Sequence, residues 1–170
     1  EQMEPIFSKI WGELHRKNNT IFPTRKRIRD AAVFKASPFH KLTQEQLQTK
    51  DKIMLKIFEN VANTRKNTPH QLIMVNGEAG SGKTVLMSNL FYDLFRESEK
   101  EQGESVFSGI STYLLVNHEQ QLTVYKEIAK KLGIKEQYVQ KPTSFINNHS
   151  SENPVDVVIV DEAHLLWTQG

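Results

Sequence analysis

The sequence predicts an α/β fold built on a mainly parallel sheet, and three observations carry that reading. Short apolar runs at Leu72–Val75, Tyr113–Val116 and Val155–Val160 alternate with amphipathic helical stretches. A glycine-rich turn, Gly77-Glu78-Ala79-Gly80-Ser81-Gly82-Lys83-Thr84, sits between the first run and the helix after it. The third run ends in two carboxylates, Asp161 and Glu162. Strands joined through helices pair in parallel by right-handed crossovers.

The N-terminal stretch stands apart from this alternation. Pro5–Arg16 places Ile6, Ile10 and Leu14 at helical spacing, and Pro23 and Pro38 interrupt any longer helix. Between those prolines lies a basic cluster, Arg25, Lys26, Arg27 and Arg29. An amphipathic helix follows over about Thr43–Asn63, with Leu47, Met54, Phe58 and Val61 as its apolar face. Thr43 and Gln46 fit a capping box at its start. Asn67, Thr68 and Pro69 break the pattern, and the first strand comes next. Thr84–Arg96 reads as a helix with Leu86, Leu90 and Leu94 on one stripe, and 97–105 as an exposed loop. After the second strand, Gln121–Leu132 reads as a helix carrying Leu122, Tyr125, Ile128, Ala129 and Leu132, with Gly133 just past its end. A short helix from Pro142 to Ile146 and a loop over Asn147–Pro154 lead into the third strand.

Composition narrows the classes. The chain has 170 residues, the size of one domain, and no cysteine, which excludes a disulfide scaffold and thiolate metal sites and favours a reducing, cytoplasmic setting. Its apolar runs fall far short of the ~20 residues that span a bilayer. The six histidines show no zinc-ligand spacing. The net charge of +2 conceals a division. Residues 1–70 carry 14 Lys/Arg against 7 Asp/Glu, and residues 71–170 carry 8 against 13. The division suggests a first part built for a different surface or partner from the rest; as domains, a basic N-terminal segment is expected over 1–41 and an α/β domain over 42–170.

The chemistry is concentrated in two motifs. Gly77–Thr84 has the pattern G-x-x-x-x-G-K-T. Such glycines let successive backbone N–H groups of Glu78, Ala79, Gly80, Ser81 and Gly82 turn toward phosphate oxygens, and the following helix adds its positive N-terminus. Lys83 is placed for the β- and γ-phosphates, and the Thr84 hydroxyl for Mg²⁺. Without a ligand, the same residues would be a simple strand-to-helix turn. The second motif is Val157–Val160 followed by Asp161-Glu162-Ala163-His164. A strand ending in a carboxylate delivers it to the sheet edge where the phosphate loop lies, so Asp161 is the second candidate for Mg²⁺. Glu162 is the candidate to polarise water for attack on a γ-phosphate. His164 stands where small GTPases usually have glycine, and no [NT]-K-x-D motif occurs, so ATP is the expected nucleotide.

Gly77–Thr84 together with Asp161–His164 resembles motifs I and II of the RecA-like helicase superfamilies. Tyr113–Leu132 and Val155–Gly170 resemble more narrowly the bacterial Schlafen-related group of DNA/RNA helicase-like ATPases, close in type to superfamily 1. The resemblance covers about Leu42–Gly170. It implies a RecA-like P-loop three-layer sandwich preceded by a small, mostly helical segment. It also implies ATP hydrolysis with Mg²⁺, coupled to DNA or RNA.

Further roles implied by the resemblance have plain alternatives. Leu42–Gln46 fits the context of a glutamine that reads adenine, which makes Gln46 the candidate, although the capping box also accounts for it. Asn117 and His118 follow the second strand where helicases touch the nucleic-acid backbone, or they form an ordinary turn. His164 either bridges the two sites or opens a loop. Trp167 either stacks on a base or packs, and Arg25–Arg29 contacts phosphates or is a solvated face.

The chain ends shortly after Glu162, before a second RecA-like lobe with its arginine finger. It is therefore expected to be the N-terminal portion of a longer protein, with the second lobe supplied in cis, and to be inactive or weakly active alone. The alternative to a motor is a nucleotide-gated switch or signalling ATPase that does not translocate.

Overall fold

A computed structural model describes residues 3–63 and 71–169, apart from the side chains of residues 3, 29, 34, 35, 63 and 167–169. The expected break at Asn67, Thr68 and Pro69 lies outside the described residues. The chain divides into two units, residues 1–35 and 36–170.

The first unit is a helical hairpin, α1 (Met3–Lys17) and α2 (Arg25–Lys35). Asn18 Oδ1 accepts from the N–H groups of Thr20 and Ile21, which turns the chain after α1. The Trp11 indole N–H donates to the Pro23 carbonyl at 2.9 Å, and its ring meets Phe22 edge-on. Arg25 lies over the Phe7 ring. Ile6 and Ile10 keep the expected helical spacing yet are exposed at 55% and 54%. Arg25, Lys26 and Arg27 of the basic cluster are exposed on the first turn of α2, and Arg25 pairs with Glu4 of α1.

The second unit contains α3 (Gln44–Asn63), α4 (Lys83–Ser98), β1 (Thr112–Val116), α5 (Glu119–Lys131), β2 (Val139–Gln140), α6 (Pro142–Asn148) and β3 (Val157–Asp161). Short 3₁₀ turns occupy Glu136–Tyr138 and Ala163–Gln169. The three strands form an open, all-parallel sheet in the order β2-β1-β3. β1 is central, and its Leu114, Leu115 and Val116 are all buried, as expected of a parallel strand covered on both faces. Thr112 pairs with Val157 and Val116 with Asp161, so the two strands end together at their C-terminal edge. At the opposite edge, Asp156 Oδ2 accepts from the Ser111 N–H and hydroxyl.

Packing follows the helix periodicities. α4 buries Leu86, Leu90 and Leu94, joined by Met87 and Phe91. α5 buries Leu122, Tyr125, Ile128 and Ala129. Each fully buried large apolar side chain contributes about 1.5–3 kcal/mol of transfer free energy. α5 ends as expected. Gly133 has φ +73°, and the Ile134 N–H reaches back to Ala129 O at 2.9 Å, a left-handed helix stop that also buries Ile134.

Three expectations are corrected. Leu72–Val75 is not a strand. Leu72 is 85% exposed and Met74 74%, and the segment pairs with no strand among the described residues. A strand exists only through its ladder, and an apolar run without a partner stays irregular. The buried residues of α3 are Ile53 and Ile57; of the expected face, Met54 and Val61 pack partly buried against the core, whereas Leu47 and Phe58 are more than a third exposed. The position of α4 decides which side of α3 is covered, and Lys50 fixes it there through Asn89 Oδ1 at 2.9 Å and Asp93 Oδ2 at 2.7 Å. Finally, α4 runs two residues into the expected loop, to Ser98, while 99–104 are exposed as expected and Phe107 beyond them is buried.

Candidate functional site

The glycine-rich turn is shaped by two left-handed residues, Gly80 at φ +80° and Gly82 at φ +81°. Gly82 is the N-cap of α4, and its carbonyl accepts the Leu86 N–H at 3.0 Å. A side chain there would be strained by φ, and a Cβ would also lie 2.4 Å from Gln46 Nε2. The close approach has a cause. Gln46 completes the capping box of α3, accepting from Thr43 N at 2.9 Å while Thr43 Oγ1 accepts from Gln46 N at 3.2 Å. Its Nε2 then donates to Ser81 O at 2.9 Å. The capping alternative for Gln46 is the one observed, and the same amide also bonds to the loop.

Lys83, the first residue of α4, turns back over the loop. Its Nζ donates to Gly77 O at 2.7 Å and Glu78 O at 2.8 Å. An anion arriving at the loop would have to win the ammonium from these two neutral carbonyls, and a charged phosphate oxygen is the stronger acceptor.

Asp161 ends β3 and is 5% exposed. One of its oxygens, Oδ1, accepts the Glu162 N–H at 3.1 Å. The other, Oδ2, accepts the Tyr125 hydroxyl at 2.8 Å, with Gln121 Nε2 at 3.5 Å. The same hydroxyl lies 3.3 Å from Thr84 O. One buried phenol thus touches both the start of α4 and the end of β3, and so brings the two sequence motifs together. Burial raises the Tyr125 pKa well above its usual value, reinforced by the negative charge of Asp161, so the phenol stays protonated and donates.

Glu162 has φ +55°, the left-handed region in a residue with a full side chain. Such strain costs about 1–3 kcal/mol and concentrates at functional positions. Its Oε2 lies 3.3 Å from His164 Nδ1, and His164 is mostly exposed. Asn117 Nδ2 donates to Leu165 O at 3.1 Å, tying the end of β1 to the 3₁₀ turn beyond Glu162, while His118 is exposed. The Trp167 side chain lies outside the described residues.

The side chains that the two motifs offer an ion are the Thr84 hydroxyl and the Asp161 carboxylate, both oxygen ligands. Hard oxygen ligands of this kind, one or two from the protein with the rest from phosphates and water, suit Mg²⁺. Among the described residues no group of three or more His, Asp or Glu side chains forms a cage for a metal of its own. Sequence reasoning missed Tyr125 and Gln121, which it read as one of the helix's apolar-face residues and as the helix's first residue. The available signal was two polar-tipped residues spaced i, i+4 on a helix that follows a central strand.

The comparisons place the chain among known proteins. Over 131 residues, 75% of this chain, it is 33% identical to an uncharacterized protein of Saccharomyces cerevisiae, and the match spans 29% of the yeast protein's length. The chain therefore covers under a third of that relative. No solved structure matches. Residues 70–170 match the family described as Schlafen group 3, DNA/RNA helicase domain. With more than half of its length matched, and with both motifs inside the matched region, the chain belongs to this Schlafen-related, helicase-like family.

Proposed function

We propose that this chain binds and hydrolyses ATP with Mg²⁺, and that in the whole protein this activity drives a helicase-like motor on DNA or RNA. The observation that supports the reading is the Tyr125 hydroxyl, which lies 3.3 Å from the Thr84 backbone carbonyl and 2.8 Å from Asp161 Oδ2 and so ties the start of α4, after the glycine-rich loop, to the carboxylate end of β3. In this account the N–H groups of 77–84 and the Lys83 ammonium hold the phosphates. Thr84 and Asp161 hold the ion, which when bound neutralises charge on the β- and γ-oxygens. Glu162, set off the strand by its left-handed backbone, orients and polarises the attacking water. Gln46, whose amide already donates to Ser81 O of the loop, would be the adenine reader.

The family supports a nucleic-acid substrate, and Asn117 and His118, at the same edge as Asp161, are the nearest candidates to meet it. An open, parallel sheet agrees with part of a RecA-like lobe. The motor further requires a second RecA-like lobe in cis to bring an arginine to the γ-phosphate. Among the described residues no helix is long and apolar enough to cross a membrane. The test is ATP turnover by the whole protein with and without single-stranded DNA and RNA. Stimulation by either, lost in Lys83→Ala, is expected. Turnover indifferent to both would sink the motor and leave a nucleotide-gated switch.

A further inference from the structure

We infer that Tyr125 is a positioning residue for Asp161, setting the carboxylate against the start of α4 and so fixing how much Mg²⁺ nucleotide binding requires. The inference rests on the nucleotide site proposed above and adds a residue that neither motif contains. Tyr125 is 2% exposed, and the other buried residues of α5, Leu122, Ile128 and Ala129, are apolar. A buried phenol needs one acceptor. Here it has two within reach, on different elements, and its single proton goes to the nearer and charged one, Asp161 Oδ2 at 2.8 Å rather than Thr84 O at 3.3 Å.

The partners of Asp161 are unusual for a carboxylate this buried. Among the described residues they are the Tyr125 hydroxyl, the Gln121 amide and the Glu162 N–H, all neutral donors. Lys83, the nearest cation in sequence to the loop, donates instead to Gly77 O and Glu78 O. Neutral donors orient a carboxylate and leave its charge for a cation to use. Oδ1 is set by the Glu162 backbone and Oδ2 by α5, so both oxygens are fixed before any ion arrives. Hydrogen-bond partners behind a metal-holding carboxylate commonly change metal affinity by about 10–100-fold when removed.

The experiment is a Mg²⁺ titration of ATP binding by the full chain, followed with a fluorescent ATP analogue, for the unaltered protein and Tyr125→Phe. The substitution keeps the ring and removes only the hydroxyl. The expected result is a Mg²⁺ midpoint raised about tenfold, with binding in EDTA unchanged. A residue that merely filled the core would weaken binding equally with and without Mg²⁺, and that result overturns the inference. If the unaltered chain binds the analogue and Tyr125→Phe leaves the midpoint in place, the positioning role is wrong while the nucleotide site stands. If the unaltered chain binds none, both fall. Should Tyr125→Phe fail to fold, Gln121→Ala decides, because its side chain reaches the same oxygen from a half-buried position. A smaller rise in midpoint is expected, and no rise overturns the inference.

Discussion

Gly82→Ala tests the link between the phosphate loop and α3. Gly82 has φ +81°, where a Cβ costs about 1–2 kcal/mol. That Cβ would also stand 2.4 Å from Gln46 Nε2, the far end of a flexible side chain that can swing away. Swinging it breaks the bond to Ser81 O and the reciprocal bond from Thr43 N, both on exposed groups. Bonds of that kind contribute about 0.5 kcal/mol each, at the low end of the usual range. The sum is about 2–3 kcal/mol, which lowers Tm by about 4–12 °C in a domain of this size. The assay is thermal denaturation of Gly82→Ala alone and combined with Gln46→Ala. With Gln46 already truncated, only the backbone strain remains, so Gly82→Ala should then cost about 1–2 kcal/mol. Equal costs in the two backgrounds, measured to better than the difference of about 1 kcal/mol, would refute the close approach and the coupling built on it.

Other substitutions probe separate links. Glu162→Gly should relieve the left-handed strain and raise Tm by about 2–4 °C for roughly 1 kcal/mol, while abolishing ATP turnover; a lower Tm contradicts the strain assignment. Glu162→Gln should keep ATP binding and reduce turnover about 10²-fold or more, and an unchanged turnover removes Glu162 as the base. Lys50→Met should destabilise by about 1–3 kcal/mol, read by urea unfolding, because it strips Asn89 and Asp93 of the ammonium that joins α3 to α4. The Tyr125 pKa is raised in the folded state, so between its unfolded value near 10 and its folded value the unfolded chain binds fewer protons. Stability from this group is complete below about pH 10 and declines above it, and Tyr125→Phe should flatten that alkaline limb.

Local signals were legible in the sequence and pairing was not. Glycines at 77, 80 and 82 before Lys83 announce a loop feeding a helix, because positive φ at Gly80 and Gly82 is a local demand. Thr43 and Gln46 announce the start of α3 by the same token, since both partners lie within one turn. Leu72–Val75 misled because apolar content records a wish for burial, whereas a strand also needs a neighbour whose position the run does not encode. β2, only two residues long, is too short to leave a pattern. The covered side of α3 depends on Asn89 and Asp93 of α4, dozens of residues away. The two motifs were readable as chemistry, but what joins them was not. Tyr125 looks like any core aromatic until Asp161, 36 residues further on, is seen beside its hydroxyl.

The central claim is that Gly77–Thr84 and Asp161 make one Mg²⁺-nucleotide site. Calorimetric titration of ATP into the chain, in Mg²⁺ and in EDTA, for the unaltered protein, Lys83→Ala and Asp161→Asn, tests it most directly. Binding is expected to depend on Mg²⁺, to be abolished by Lys83→Ala and to become insensitive to Mg²⁺ in Asp161→Asn. Binding that survives Lys83→Ala, or keeps its full Mg²⁺ dependence in Asp161→Asn, would contradict that claim.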